Sequence, residues 1–322
     1  MNAMQKLWGL LTGLLLLGLV VYSDGAAQGA RAGLATCTAL IVPALLPFFV
    51  VSLLMNELGL THLPERLLAG PMGLFFGVSG QGGAVFFQSI LGGYPLGAGV
   101  IGDLVRRGEL SAKEGAKLLP FCNNCGPAFL LGAVGVGVFR SAALGAILYV
   151  CHVLGALLTG LFLSGTKNPA PAEPGPFVAA LSLPSALPRA MKTATAQLLG
   201  ICGYIVFFSA VAGMLEELGA FSGLYGSLAA STGLSLQVTR SLCMGLLELG
   251  SGIGAMAGLA PTAGNLSLAA FITGFGGLSV AMQTAGVLEG TGIPLWRHLA
   301  GRLCTACISA FLVYTWATAL GG

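Results

Sequence analysis

The sequence predicts an all-α integral membrane protein: two inverted structural repeats with re-entrant hairpins and broken transmembrane helices. Three observations lead there. Of 322 residues, 56% are hydrophobic and only 8% charged, where a soluble domain carries about a quarter charged residues. Uncharged runs long enough to cross a bilayer recur along the chain. Motifs before a proline-rich segment return in the same order after it. With 14 basic and 11 acidic side chains, the chain cannot coat a water-soluble surface. A net charge of +3 is too weak for nucleic-acid binding. The expected partners are the lipid bilayer and a small molecule.

A spanning helix needs about 20 apolar residues, because the hydrocarbon core is about 30 Å thick. Leu7 to Tyr22, behind Lys6 and ahead of Gly25-Ala26-Ala27, reads as a retained signal-anchor, and residues 1–30 form an N-terminal transmembrane helix. Uncharged runs from Ala32 to Asn56, Ser141 to Thr166, Thr193 to Leu215 and Leu303 to Gly322 each fit one crossing. Leu67 to Gly102 does not. As helix it would extend about 54 Å, too short for two crossings and a turn, and glycines interrupt it at Ser79-Gly80-Gln81-Gly82-Gly83 and Gly92-Gly93-Tyr94-Pro95. It reads as a re-entrant hairpin. Ser241 to Leu288 holds one charge, Glu248, and is interrupted at Leu249-Gly250-Ser251-Gly252 and Gly274-Phe275-Gly276-Gly277. Non-helical backbone survives at membrane depth only where protein or a water-filled cavity satisfies it, so several interruptions in one chain predict a cavity.

Six prolines between Thr166 and Arg189 mark residues 166–188 as a linker between a first membrane repeat, 31–165, and a second, 189–322. Phe48 and Glu57-Leu58-Gly59 match Phe208 and Glu217-Leu218-Gly219. Gly93-x-x-x-Gly97-Ala98 matches Gly250-x-x-x-Gly254-Ala255, and Phe121 to Gly126 matches Phe271 to Gly276. The loop carrying Arg106, Arg107, Lys113 and Lys117 has an uncharged counterpart at Met256 to Ala270. The positive-inside rule explains this if equivalent loops face opposite sides. Tracing from a cytosolic N-terminus puts most basic residues inside, Arg297 and Arg302 among them, leaves Arg31 and Arg140 outside, and leaves Arg240 ambiguous. Inverted repeats with paired broken segments are the architecture of many secondary transporters, with substrate held where the repeats meet.

The candidate site collects the interruptions. In Phe121-Cys122-Asn123-Asn124-Cys125-Gly126-Pro127, Gly126 and Pro127 stop one helix and start the next. The new N-terminus favours an anion, and Asn123 and Asn124 add donors and acceptors. The structural alternative is a kink whose amides neighbouring helices satisfy. At Gly93-Tyr94-Pro95 glycine allows close approach and Tyr94 offers a ring and a hydroxyl, or the segment is a glycine helix contact. Glu248 is an acid inside an apolar run, hence a functional candidate. It could couple transport to a proton or a sodium ion, or cap the interruption beside it, with Arg240 as a potential partner. Gly250 and Ser251 lie on that interruption, and Gln81 and Gln283 add amides on glycine-rich turns. Cys122-x-x-Cys125 and Cys304-x-x-Cys307 have no histidine at ligand spacing, so neither a metal nor catalysis is expected, and the chain is not read as an enzyme.

The run Gly93-Tyr94-Pro95-Leu96-Gly97-Ala98, then Gly108-Glu109-Leu110 with Glu114, then Phe121 to Pro127 resembles the YlbJ family of sporulation integral membrane proteins. That family contains the Gate, or nucleoside-recognition, domain related to part of the concentrative nucleoside transporters. The resemblance runs from the first helix to the last and is specific between Gly93 and Pro127. Two positions depart from the family pattern: Gly99 stands where a lysine is usual, removing a cation from the site, and Cys125 where a serine is usual. The resemblance implies transport of dipicolinic acid, a pyridine dicarboxylate, into the developing spore from the outer forespore membrane. The residues are compatible with it, and equally with a nucleoside or another small organic anion in a bacterial cytoplasmic membrane. The expectation is a secondary transporter binding through Gly93, Tyr94, Pro95, Asn123, Asn124, Gly126, Glu248, Gly250, Ser251 and Gln283, with no cofactor beyond the coupling ion. The alternative is a non-transporting membrane factor that recruits or gates a partner complex in spore formation, with a docking face near Arg106 to Lys117.

Overall fold

The computed structural model describes residues 3–163 and 181–320, and every regular element among them is a helix. Pro169, Pro171, Pro174, Pro176 and Lys167 of the expected linker lie outside the described residues. Helix α1 (Ala3–Val21) exposes Leu7, Leu10, Leu14 and Leu17, the surface of a helix solvated by lipid. It meets α2 (Ser23–Thr36) at a bend of 93°. A π-helical turn, Cys37–Ile41, then carries α2 into α3 (Val42–Glu57) without a break. The expected boundary at residue 30 therefore falls inside a helix. Gly25, Ala26 and Gly29 do not end it, because they are the residues that let it lie against a neighbour.

That neighbour is α9 (Leu183–Glu217), 35 residues long, or about 52 Å. The other expected boundary, at residue 188, falls inside α9: Pro184 sits in its first turn, where a missing N–H is tolerated, and Pro188 lies in the next. A Cβ on Gly25 would lie 2.5 Å from the Gly213 carbonyl oxygen, on Gly29 2.1 Å from that of Ser209, and on Gly33 3.0 Å from the Val206 Cα. Numbers rise on α2 as they fall on α9, so the two run antiparallel. Without a hydrophobic driving force between helices in lipid, small residues that admit close backbone approach supply the association.

The order of elements repeats. After α3 come α4 (His62–Pro71, extended by a π-helical turn to Phe76), α5 (Gly80–Gly92), α6 (Leu96–Arg106), α7 (Ala112–Leu118), a π-helix (Ala128–Val138) and α8 (Ala142–Leu163). After α9 come α10 (Ala220–Thr232), α11 (Leu236–Leu247), α12 (Leu249–Gly254), α13 (Ala263–Phe275), α14 (Gly277–Val287) and α15 (Trp296–Leu320). The matching Glu-Leu-Gly motifs close α3 and α9, and Gly59 and Gly219 both take positive φ, 66° and 79°. The π-helix and α14 have 11 residues each. The repeat departs at the third motif: Phe121 to Gly126 is irregular, whereas Phe271 to Phe275 finishes α13. The last helices, α8 and α15, also cross antiparallel, with the Thr159 and Thr305 hydroxyls 2.9 Å apart and Gly155 against the Ser309 hydroxyl.

Among the described residues, four segments are long and apolar enough to cross a membrane: Ala142–Leu163, Leu183–Glu217, Ala263–Val287 and Trp296–Ala319. The bent pairs at α1/α2 and α3/α4 bring the number to six if each is one span. This is a multi-pass membrane protein. The stretch expected as a re-entrant hairpin is α4 packed on α5 and continued by α6, with interruptions at residues 77–79 and 93–95; Gly80 to Gly83, expected in the turn, are the first turn of α5.

If the α2–α9 seam holds the fold, Gly29→Ala or Gly213→Ala, whose Cβ would lie 2.1 Å from a carbonyl oxygen, costs about 1–3 kcal/mol. The melting temperature in detergent should fall for both and should not fall for Gly13→Ala, which has nothing within 4 Å.

Candidate functional site

The interruptions of both halves meet. A small cavity of about 50 Å³ is lined by Gly93 and Tyr94, by Cys125 and Gly126, and by Glu248, Leu249 and Gly250, with Val280 and Gln283 of α14 closing it. The Gly93 and Gly126 backbones abut: a Cβ on Gly93, where φ is +85°, would lie 3.0 Å from the Gly126 nitrogen. The fourth interruption, after α13, joins through Tyr94, whose hydroxyl donates to the Thr273 and Gly274 carbonyls at 3.0 and 3.2 Å. The volume is that of one or two water molecules.

The structure divides the expected site residues. Gly93, Tyr94, Gly126, Glu248, Gly250 and Gln283 line the cavity. Pro95, Asn123 and Asn124 are buried beside it but not on its wall. The Asn123 side chain accepts from the Ala98 N–H at 3.4 Å and donates to the Thr284 hydroxyl at 3.0 Å, with His298 Nδ1 at 3.5 Å. Asn124 donates to the Ser89 hydroxyl at 3.1 Å and the Phe121 carbonyl at 2.7 Å. These amides brace unwound backbone, which is the structural alternative the sequence offered. Ser251 faces away from the cavity, and its hydroxyl is 3.3 Å from that of Ser209.

Glu248 is 3% exposed. It ends α11 in extended conformation and its carboxylate accepts from the Gly250 and Ser251 N–H groups at 2.9 and 2.6 Å. Arg240 is not its partner; it bonds Glu216 of α9 at 3.0 Å. Eight residues of α11 separate Arg240 from Glu248, more than two turns, and α9 lies nearer to the arginine.

Arg302 corrects a second expectation. Instead of marking the cytosolic boundary, it is fully buried behind Tyr94. One terminal nitrogen donates to the Tyr94 hydroxyl at 3.0 Å and Asn124 Oδ1 at 3.4 Å, the other to the Pro120 carbonyl at 2.6 Å and the Thr305 hydroxyl at 3.3 Å. Its Nε has no partner, and among the described residues no carboxylate pairs with it. A charge at membrane depth costs about 2.5–3.5 kcal/mol or more. Carbonyls and hydroxyls where helices end offset part of that, as cations near helix C-termini do. The charge sits less than two turns into α15, so its linear position resembles a boundary residue, and only a cation among Cys304, Cys307 and small residues hinted otherwise.

Two vestibules flank the cavity. The larger, about 840 Å³, is walled by α2, by α9 from Ser209 to Glu217, by Arg240 of α11 and by α12. The other, about 460 Å³, is walled by the end of α3, by α9 from Arg189 to Gln197, and by α5 and α6. Their walls are the counterparts of one another in the two halves, and they open at opposite ends of α9. Side chains cross-link both walls: Glu216 pairs with Arg240 in the first, and Asn56 with Gln88 through paired amide bonds of 3.2 and 2.9 Å in the second. Asn56 and Glu216 are the penultimate residues of corresponding helices. Gly250 lines both the first vestibule and the cavity, so a single backbone segment lies between them.

Tyr94→Phe removes an acceptor from the buried guanidinium and should cost about 1–3 kcal/mol. Arg302→Lys should cost more, because an ammonium cannot bridge Pro120, Tyr94 and Asn124 together. Thermal unfolding in detergent ranks them; equal melting temperatures for both variants and the parent would remove Arg302 from its bracing role.

No protein-family model matches the chain, and no solved structure matches it. A curated relative does: the chain is 29% identical over 318 residues, covering 90% of this chain and 77% of the relative, to the sporulation integral membrane protein YlbJ of Bacillus subtilis (strain 168). The match runs through the interruptions that build the cavity and supports the YlbJ-type family of integral membrane proteins for this chain.

Proposed function

We propose that the protein is a secondary transporter of a small organic anion, acting in sporulation, with dipicolinic acid as the substrate the family resemblance favours. The observation that carries this reading is the meeting of three helix interruptions around one cavity, with a fourth tied in through the Tyr94 hydroxyl, set between two vestibules lined by opposite ends of α9. The repeated order of elements and the antiparallel pairing of equivalent helices are the geometry that two inverted repeats produce, and such repeats transport by rocking about a central site. In this conformation the site holds only about 50 Å³ and lies next to the first vestibule, with which it shares Gly250. Opening would separate Gly250 from the cavity on one side, or part α5 and α6 from α3 and α9 on the other. Tyr94 supplies a flat ring for an aromatic acid, and Gln283 an amide for a carboxylate.

The Gate-type architecture, an outer forespore membrane location and a cytosolic N-terminus belong to the same proposal. A docking factor is the weaker reading. Arg106 is engaged by Asp103 and by the Val287 and Glu289 carbonyls, and Lys117 by the Gly77 carbonyl, so these charges hold the fold together rather than forming a free basic face.

Proteoliposome uptake of labelled dipicolinate tests the reading. The parent should accumulate it above empty liposomes, and Val280→Trp, which fills the cavity, should reduce uptake at least tenfold. Parent uptake no greater than that of empty liposomes overturns transport of this substrate. Alternating access makes a second prediction. Single cysteines replacing Ala212 in the first vestibule and Thr193 in the second, in a cysteine-free background, should label from opposite sides of the membrane. Ligand should change their labelling rates in opposite directions.

A further inference from the structure

The cavity has an unbalanced charge ledger once an anion enters it. Its wall contains one carboxylate, Glu248, 3% exposed. Behind Tyr94 stands one cation, Arg302, fully buried and bonded only to neutral groups. With both ionised the pair is neutral. An organic anion in the cavity adds a negative charge beside Glu248 with no further cation on its wall to meet it, because Arg240 is bonded to Glu216 in the vestibule wall. In a medium of low dielectric that repulsion is not screened.

We propose that Glu248 is the proton carrier of the site, and that the anion binds together with one proton taken up on the Glu248 carboxyl. The step is an O–H bond formed on Glu248 with a proton from water in the adjoining vestibule, and broken when the anion leaves. Geometry supplies the route: Gly250 lines both compartments and Ser251 lines the vestibule. Both carboxylate oxygens accept N–H groups, from Gly250 at 2.9 Å and Ser251 at 2.6 Å; these hold the ionised form while the cavity is empty, and the charge of an arriving anion is what works against them. The ionisable groups facing Glu248 from its neighbours are Cys37 of the α2–α3 helix, Tyr94 and Cys125. Thr36, Ser209, Ser251 and Gln283 bring only hydroxyls and an amide, and Asp24, Glu216, Glu217 and Arg240 line the vestibule rather than the cavity. This rests on the transport reading and names its coupling ion.

The test uses the full chain and pyridine-2,6-dicarboxylate. Added to parent protein in weakly buffered detergent solution, the ligand should draw roughly one proton from solution per anion bound. In proteoliposomes an inward acid gradient should raise parent uptake several-fold over equal pH. In Glu248→Gln the ratio of uptake with and without the gradient should fall to about one, and ligand-linked proton uptake should vanish; Glu248→Asp should restore both. Unchanged proton uptake or gradient response in Glu248→Gln overturns the proposal and leaves transport standing. So does a sodium gradient that replaces the acid gradient in the parent. A parent that neither binds nor carries the anion overturns the transport reading, and this inference with it.

Discussion

Unwound backbone inside a lipid-surrounded protein has to find every hydrogen bond within the protein, and at the centre of this chain Arg302 is the group that gathers it. Its guanidinium takes the Pro120 carbonyl where α7 has ended, the Asn124 side chain in the following interruption, and the Tyr94 hydroxyl in the interruption before α6. Tyr94 passes the connection on to the carbonyls at the end of α13. Three interruptions from two halves of the chain are thus tied to one side chain on α15. Removing them from that bracket would leave carbonyls unpaired at several kcal/mol each in an apolar surround.

Around this bracket, close packing is achieved by absence of side chains. α2 lies on α9 through glycines, α8 on α15 through Gly155 and paired threonines, and α13 on α15 through Gly274. The high glycine content therefore has two uses. Some glycines let helices approach where hydrophobic burial cannot drive association. Others, Gly93 and Gly276 among them, take backbone angles that break the helices. The first group fixes the frame, and the second produces the cavity the frame encloses.

The two vestibules share one structural element. The same long helix, α9, forms a wall of each, through Ser209 to Glu217 in one and Arg189 to Gln197 in the other. Their cross-links differ in chemistry, an ion pair at Glu216 and Arg240 and an amide pair at Asn56 and Gln88. The two walls are therefore held by different chemistry, one by opposite charges and the other by neutral amides.

The sequence by itself determined the membrane class, the helical composition, the internal match of the halves and the places where helices stop, because scarcity of charge, periodic apolar length and clustered glycine and proline act locally. It also identified six residues of the cavity wall, since an acid, an amide, a tyrosine and glycines at an interruption are conspicuous in an apolar run. Only the tertiary structure decided what each interruption faces. Asn123 and Asn124 turned out to brace backbone, and Arg240 to pair with Glu216. Arg302, seemingly a boundary charge, turned out to be the buried cation. Those roles depend on which helices lie side by side, across separations of 24 to 208 residues along the chain, and the linear spacing of a charge carries no record of that.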